Sequence, residues 1–287
     1  MLNELNQNGV EVYALCRKDS ANVERIKGMK NVQIINCGME EIEQLPDLCE
    51  ERAFDVLYHL AWRGASGEER TDSVIQAENI VWNLKIARVA KKMGAKKLVV
   101  TGTVCENQCE AILRQQSVGK SAHYLLAKRA TYELLSVECR KVGLELVWCT
   151  FYHPIGKFNK PEQIIMNTIL KLHKGESPKF GPADKLFDVI SAEDLCHGLY
   201  LAGMKNLSEN RYFIGSGKSR RLKDYLHELH ELVNSEIPLK IDVYPDDELP
   251  MEEAWLDGGD FSQEVGFYAK KTFREAVLEI CDNINQR

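Results

Sequence analysis

The sequence predicts an α/β fold in which helices cover a doubly wound parallel sheet. Short apolar runs rich in β-branched residues alternate with longer amphipathic runs through the first half of the chain, and this alternation is typical of parallel sheets with helical crossovers. The chain has 287 residues, of which 44% are hydrophobic, so it is long enough for one large or two modest domains. The predicted strands cover residues 10–15, 32–35, 54–61, 98–101 and 144–151.

Two long runs between these strands carry apolar residues at three- and four-residue spacing, which predicts helices over 73–93 and 121–142. Gly94 and Gly143 follow them as C-caps. After about residue 155 prolines divide the chain into shorter elements. We therefore predict a Rossmann-like first domain over 1–155 and a smaller substrate lobe over 156–287, with residues 187–216 returning to the first domain.

The first residues have the pattern of the last turns of a helix, capped by Gly9 and leading into the first predicted strand. In a doubly wound sheet the first strand is central, and a glycine-rich turn after it binds a pyrophosphate. We expect the sequence to lack roughly twenty N-terminal residues of its parent fold, which would hold that strand and turn. The strands that begin near Val10 and Phe54 would then each have an unpaired edge.

The charge balance and the cysteines exclude several kinds of partner. There are 37 Lys and Arg residues against 43 Asp and Glu, a net charge of −6, without the basic stripe that nucleic-acid binding requires. No run approaches the roughly twenty apolar residues of a membrane span, and the polar first residues are not a signal peptide. We expect a cytoplasmic protein whose nine cysteines are reduced and bind no metal.

Three residues form the strongest candidate for chemistry. Tyr124 and Lys128 are four residues apart on a predicted helix, so their side chains lie on one face. An ammonium near a phenol favours the phenolate, which suits Tyr124 for proton exchange with an alcohol or a ketone. Thr103 follows the predicted strand 98–101 and is placed to hydrogen-bond the same oxygen, with Thr101 as the alternative hydroxyl.

With this pattern the chain resembles the extended short-chain dehydrogenase/reductase family, the NAD(P)-dependent sugar epimerases and dehydratases. In that family a Ser or Thr after the fifth strand acts with a Tyr-x-x-x-Lys pair in hydride transfer, and these positions fall on Thr103, Tyr124 and Lys128. The resemblance implies that Lys128 also holds the cofactor ribose. Other residues that it assigns to the cofactor are His59, Leu60, Ala61 and Asn79.

The residues after the first predicted strand bear on the choice of cofactor. An acid at this place binds the ribose of NAD, whereas a base pairs with the 2′-phosphate of NADP. Arg17 and Lys18 stand there, so NADP is favoured over NAD. Asp19 keeps NAD open as the alternative.

Departures from the family pattern narrow the expected reaction. Sugar dehydratases of the family follow the Thr with an acid pair, whereas Val104 and Cys105 follow Thr103, which disfavours dehydration. We expect an oxidoreductase or epimerase acting on a carbohydrate or nucleotide-sugar-like alcohol; the alternative is a non-catalytic or cofactor-deficient relative. The resemblance also implies a homodimer through helices 73–93 and 121–142. Further candidates for substrate contact are Trp62, Arg63, Glu106, His153 and Lys185.

Overall fold

The computed structural model describes residues 1–51, 53–114, 119–245, 249 and 251–286. The chain forms two compact units, one of Met1–Thr150 with Cys196–Tyr212 and the other of Phe151–Leu195 with Phe213–Arg287. The assignment of substrate binding to a lobe over 156–287 stays a prediction. The strands are β1 (Val12–Cys16), β2 (Val32–Asn36), β3 (Val56–His59), β4 (Lys97–Thr101), β5 (Glu145–Thr150), β6 (His153–Ile155), β7 (Leu186–Phe187), β8 (Val189–Ser191), β9 (Arg211–Phe213) and β10 (Arg220–Arg221).

The described helices range from one turn to six turns. They are α1 (Leu2–Gln7), α2 (Leu45–Leu48), α3 (Ser73–Lys92), α4 (Cys109–Arg114), α5 (Ala122–Val142), α6 (Ile164–His173), α7 (Ala192–Met204), α8 (Leu222–Val233), α9 (Gly259–Val265) and α10 (Phe273–Asn285). Short 3-10 turns cover Ala21–Arg25, Ile42–Gln44, Glu68–Thr71, Val104–Gln108 and Glu253–Leu256. None of the described helices is long and apolar enough to cross a membrane.

Two sheets are built on strands of the first unit, and the pairs β1–β2, β3–β4 and β4–β5 are parallel. β1 pairs with β2, and a second sheet has the order β3-β4-β5-β9. In the second sheet Leu57 is in register with Leu98, and Leu98 with Leu146. Among the described strands none pairs with the other edge of β1 or of β3, so each has an unpaired edge. The parallel pairing confirms the predicted fold class, and all five predicted strands are present.

The two long helices confirm their predicted bounds to within one residue. Asp72 caps α3 by accepting hydrogen bonds from the backbone N–H groups of Val74 and Ile75, and Gly143 ends α5 in the left-handed conformation with φ +67°. α3 and α5 pack against each other, and their apolar faces meet the sheet. The core between them includes the fully buried side chains of Leu98, Ala87, Ala90, Leu135 and Trp148.

The second unit has its own core and two short sheets. β6 pairs with β8 in parallel, and β7 pairs with β10 antiparallel. Helices α6, α8 and α10 pack around them over a cluster that includes Ile165, Ile169, Leu226 and Val277. α10 begins with a capping box between Thr272 and Glu275.

Candidate active site

Tyr124 and Lys128 lie in the first two turns of α5, at the end of β4. Their side chains are buried, with 9% and 3% of each residue exposed. Lys128 Nζ donates a hydrogen bond to the carbonyl oxygen of Thr101, the last residue of β4, at 2.7 Å, and it lies 6.0 Å from the centre of the Tyr124 ring. The structure therefore brings the predicted pair together at the carboxyl end of a parallel strand, where ligands bind in such sheets.

Thr103 follows β4 but caps a helical turn. Residues Val104–Gln108 form a 3-10 turn and do not continue the strand, and Thr103 Oγ1 accepts a hydrogen bond from the backbone N–H of Cys105 at 3.4 Å. Glu106 completes the capping box by accepting from the Thr103 N–H at 3.5 Å. A hydroxyl that accepts still has its own proton to donate. A role for Thr103 in chemistry stays a prediction.

Glu106 is fully buried in the first unit. Its Oε1 accepts a hydrogen bond from Trp148 Nε1 at 2.9 Å and pairs with Arg211 Nη2 at 2.9 Å. Burial raises the pKa of Glu106, and the Arg211 charge opposes this effect. Gly102 makes room for the indole, because a Cβ there would stand 2.2 Å from Trp148 Nε1. The carboxylate that the sequence offered as a substrate contact is thus bound to protein groups.

Arg70 covers one face of the Tyr124 ring. Its Cζ lies 3.8 Å from the ring centre, while Nε donates to Ser121 Oγ at 3.1 Å and Nη1 donates to the carbonyl oxygen of Ala65 at 2.5 Å. Arg70 lies in the 3-10 turn Glu68–Thr71. Its place in the sequence gives no signal of this contact, since an arginine beside two glutamates has the pattern of an exposed charge run.

Trp62 packs on both members of the pair. Its ring centre lies 3.8 Å from Lys128 Nζ, and its ring meets the Tyr124 ring edge to face, with centres 5.9 Å apart and planes at 82°. The indole Nε1 donates to Gln76 Oε1 at 2.8 Å. Trp62 was predicted as a substrate contact, and the structure places it directly on the candidate catalytic side chains.

Burial decides the protonation of the pair. It raises the pKa of Tyr124 to about 12, although the positive charge of Arg70 acts in the opposite direction. It lowers the pKa of Lys128 to about 7, against the attraction of Glu106. Near neutral pH Tyr124 is therefore a phenol, and Lys128 is divided between its charged and neutral forms.

The predicted cofactor residues of the first unit fall into three environments. His59 ends β3 and is buried, with 7% exposed, whereas Leu60 and Ala61 after it are exposed. The buried Asn79 holds the loop after β3: its Oδ1 accepts from the Arg63 N–H, and its Nδ2 donates to the Arg63 carbonyl, both at 2.9 Å. The Arg63 side chain is half exposed and pairs with Glu69.

Arg17 and Lys18 are exposed after β1. Arg17 and Lys18 line a cavity of about 350 Å³ together with acidic residues, so the charge of the cavity is mixed. The lining consists of Arg17, Lys18, Asp19, Gly38, Glu40 and Glu41.

His153 and Lys185 belong to the second unit. His153 is in β6, and its ring lies 5.2 Å from the Phe187 ring, centre to centre. Burial lowers the pKa of His153 to about 4. Lys185 Nζ lies 5.9 Å from the Tyr152 ring centre. Contact of either residue with substrate stays a prediction.

Comparison with known proteins decides the family. The profile of the NAD dependent epimerase/dehydratase family matches residues 1–229. The chain belongs to this family. No curated protein matches the chain.

Solved structures of low sequence identity share the epimerase fold. UDP-glucose 4-epimerase of Thermotoga maritima, solved with UDP-glucose, is 19% identical with a TM-score of 0.76, covering 99% of this chain and 94% of that one. The Bordetella bronchiseptica enzyme WbmG in complex with NAD is 15% identical with a TM-score of 0.76, covering 99% and 89%. RMD from Pseudomonas aeruginosa, complexed with NADPH, is 14% identical with a TM-score of 0.73, covering 96% and 98%.

The buried groups of this epimerase-family chain fit a dinucleotide in two respects. His59 Nε2 is buried and has no hydrogen-bond partner among the described residues, so a ligand hydroxyl or amide would satisfy it. Lys128 has three N–H donors, of which one is used by Thr101, and the others suit ribose hydroxyls. Trp62 lies on the same ammonium, which is the group that the family resemblance assigns to the ribose.

The buried His59 ring predicts a loss of stability in acid. Burial, and then the Lys128 charge, lower the pKa of His59 to about 3 from an ordinary value of 6.5. Between these values the unfolded chain binds a proton that the folded chain does not, so the free energy of unfolding falls as pH falls from about 6.5 towards 3. We expect His59→Gln to lower the slope of the free energy of unfolding against pH by the contribution of one proton, about 1.4 kcal/mol per pH unit.

The measurement is urea denaturation at a series of pH values from 7, above the ordinary histidine pKa, to about 4.5, well inside the window that the linkage relation defines. His173→Gln, which changes an exposed histidine at the end of α6, is the matched control and should keep the slope of the unaltered chain. An unchanged slope in His59→Gln would show that this ring is not held neutral by the fold.

Proposed function

We propose that the chain is an NAD(P)-dependent oxidoreductase or epimerase acting on a sugar or nucleotide-sugar alcohol, with Tyr124 as the proton-transfer group. The observation that carries the proposal is the buried Tyr124–Lys128 pair at the end of β4 in a chain of the NAD dependent epimerase/dehydratase family. The shared fold of UDP-glucose 4-epimerase, solved with UDP-glucose, supports a nucleotide-sugar substrate. NAD and NADPH in the related structures support a nicotinamide cofactor.

Each side chain of the pair has a role that its environment suits. The bound nicotinamide supplies hydride transfer at a carbinol carbon. Tyr124 gives its phenolic proton to the substrate oxygen or takes the hydroxyl proton from it; because burial keeps it a phenol at neutral pH, its resting form is the donor. Lys128 binds the ribose hydroxyls and favours the phenolate. Thr103 orients the substrate oxygen with its free hydroxyl proton.

A cofactor-deficient relative is the second candidate function. The observation that favours it is the cover formed by Trp62 on Lys128 and by Arg70 on Tyr124, which leaves neither side chain more than 9% exposed. Under this function the cover persists in the presence of NAD(P)H. Under the proposed enzyme function Trp62 would leave the ammonium, and Lys128 would hold the ribose hydroxyls of a dinucleotide in its place.

Removal of the phenolic hydroxyl tests the proposed function. We expect Tyr124→Phe to lower turnover of UDP-glucose or another UDP-hexose by at least about a hundredfold, because general acid–base catalysis contributes roughly 10²–10⁴, while cofactor affinity changes little. Turnover is followed by NMR of the sugar with NAD or NADP added. Tyr132→Phe is the control: Tyr132 is on the same helix, and its hydroxyl bonds Asn210 Oδ1 at 3.0 Å.

Equal turnover in Tyr124→Phe and the unaltered chain would remove Tyr124 from this role. If the unaltered chain neither turns over any UDP-hexose nor binds NADH or NADPH, the cofactor-deficient function stands instead. Tryptophan fluorescence in the same binding titrations separates the two functions, since displacement of Trp62 from the ammonium changes its emission.

The preference for NADP is tested by removing the two cations after β1. We expect Arg17→Ala with Lys18→Ala to weaken NADPH binding about tenfold or more, because a charge-assisted bond to phosphate contributes roughly 1.5–3 kcal/mol, and to change NADH binding little. Nicotinamide fluorescence gives both dissociation constants. Lys27→Ala, which removes an exposed lysine paired with Glu24, is the control. Equal losses for NADH and NADPH would contradict the preference.

We also propose that the chain pairs with a second copy through α3 and α5. Both helices carry exposed apolar side chains, with Val81 52% exposed on α3 and Leu134 49% and Val137 56% exposed on α5. Val81→Arg with Leu134→Arg should convert a dimer to a monomer, because the change would bury unpaired charge at the interface. Light scattering measures the mass, with exposed Leu278→Arg on α10 as the control. A dimer in the double variant, or a monomer in the unaltered chain, would refute this surface.

A further inference from the structure

The Arg70 guanidinium is fixed over the Tyr124 ring by contacts of its own. Nε donates to Ser121 Oγ at 3.1 Å, just before α5 begins, and Nη1 donates to the Ala65 carbonyl at 2.5 Å. Cζ then stands 3.8 Å from the ring centre, within the distance at which a cation interacts with an aromatic face. The guanidinium is therefore held in place beside the phenol by two anchors that do not involve the phenol.

Lys128, the cation expected to favour the phenolate, is turned to other groups. Its Nζ is 2.7 Å from the Thr101 carbonyl oxygen and 3.8 Å from the Trp62 ring centre, but 6.0 Å from the Tyr124 ring centre. Burial also keeps it only partly charged near neutral pH, because its pKa is lowered to about 7. Arginine stays charged at any pH at which the chain folds. Of the two cations, Arg70 is thus the nearer and the permanent one.

Titratable groups face the phenol from several of the described elements packed on it, and Cys109 of α4 lies in the same buried cluster as Tyr124. Arg70 comes from the 3-10 turn after β3, Cys105 and Glu106 come from the 3-10 turn after β4, and Lys128 comes from α5 itself. Burial raises the pKa of Tyr124 most; the Arg70 charge lowers it, and Cys105 and Glu106 raise it. Arg70 therefore opposes both the burial and the nearby acidic groups.

We propose that Arg70 is a positioning residue for Tyr124, whose guanidinium stabilises the phenolate and holds the ring for proton transfer. The proposal deepens the proposed function and rests on it for its catalytic consequence. The effect on ionisation is a property of the unliganded chain. The two are therefore measured separately.

The first measurement is the ionisation of residue 124 without any ligand. A fluorotyrosine incorporated at position 124 lowers the intrinsic phenol pKa into the range where the chain is folded, and its ¹⁹F shift is followed against pH. Arg70→Met keeps the length of the side chain without its charge, and we expect it to raise the phenol pKa by about one unit or more, a tenfold or larger change. Arg70→Lys restores a cation and should recover most of the difference. Arg129→Met, which removes a partly exposed arginine of the same helix that pairs with Glu133, should leave the phenol pKa unchanged.

A purely structural role for Arg70 gives a different result. If Arg70→Met leaves the phenol pKa unchanged, or lowers it by admitting water, the proposal is overturned, as it is if Arg70→Lys behaves like Arg70→Met. Circular dichroism checks the fold; should Arg70→Met not fold, Arg70→Gln replaces it in the same comparison, and Ser121→Ala, which frees Nε, should raise the pKa in the same direction.

The second measurement is the pH profile of kcat/KM for UDP-hexose turnover by the chain that carries fluorotyrosine at position 124. In Arg70→Met we expect the limb that reports Tyr124 to move to higher pH with the ¹⁹F titration, and in Arg70→Lys to return. A chain without turnover refutes the proposed function but leaves the ¹⁹F result to decide on Arg70. If turnover depends on Tyr124 but Arg70→Met has the same pH profile as the unaltered arginine, the inference about Arg70 is overturned and the proposed function stands.

Discussion

The burial of the Lys128 ammonium is the constraint on which the candidate site depends. A cation removed from water needs acceptors or charges around it, because an unpaired buried charge is strongly destabilising. Lys128 finds the Thr101 carbonyl at the end of β4, the face of Trp62 and the nearby charge of Glu106. These groups come from three chain segments, so the end of β4, the loop after β3 and the turn after β4 are all placed around one side chain of α5.

Among the described residues of the first unit, one buried acid balances this group of cations. Glu106 is wholly buried and is shared between Trp148 and Arg211, so its charge is divided among several partners. Arg70 adds a further positive charge beside Tyr124 and acts to lower the pKa of Lys128. A surplus of positive charge in a buried site favours a neutral lysine and a phenolate. Burial opposes the phenolate, which is why the position of Arg70 matters for the tyrosine.

The periodic and local features of this molecule could be predicted from the sequence, whereas the surroundings of the Tyr124–Lys128 pair could not. The three- and four-residue spacing of α3 and α5, with Gly94 and Gly143 after them, depends on neighbours along the chain. The Tyr124–Lys128 spacing likewise needs only helical geometry. Arg70 and Trp62 reach the pair from the loop after β3. They precede Tyr124 and Lys128 by 54 to 66 residues, and their exposed neighbours in sequence give no pattern that predicts these contacts. The 3-10 turn after β4 was not predicted, because its capping box depends on the side-chain contacts of Thr103 and Glu106.

The cover of Trp62 on Lys128 is compatible with the proposed enzyme function, as the free energies of the contacts available to the ammonium indicate. A desolvated ammonium on an aromatic face is stabilised by about 0.5–2 kcal/mol, and this is what the Trp62 ring offers Lys128. Two hydroxyls that accept from a charged donor offer roughly 1.5–3 kcal/mol each, and an amide or hydroxyl would also satisfy His59 Nε2, which lacks a partner among the described residues. Under the proposed function, exchange of the indole for ribose hydroxyls would replace one stabilising contact of the ammonium by others of similar or larger magnitude. The covered pair does not by itself argue for loss of function, and under the proposed function Trp62 is the side chain expected to change position when a cofactor binds.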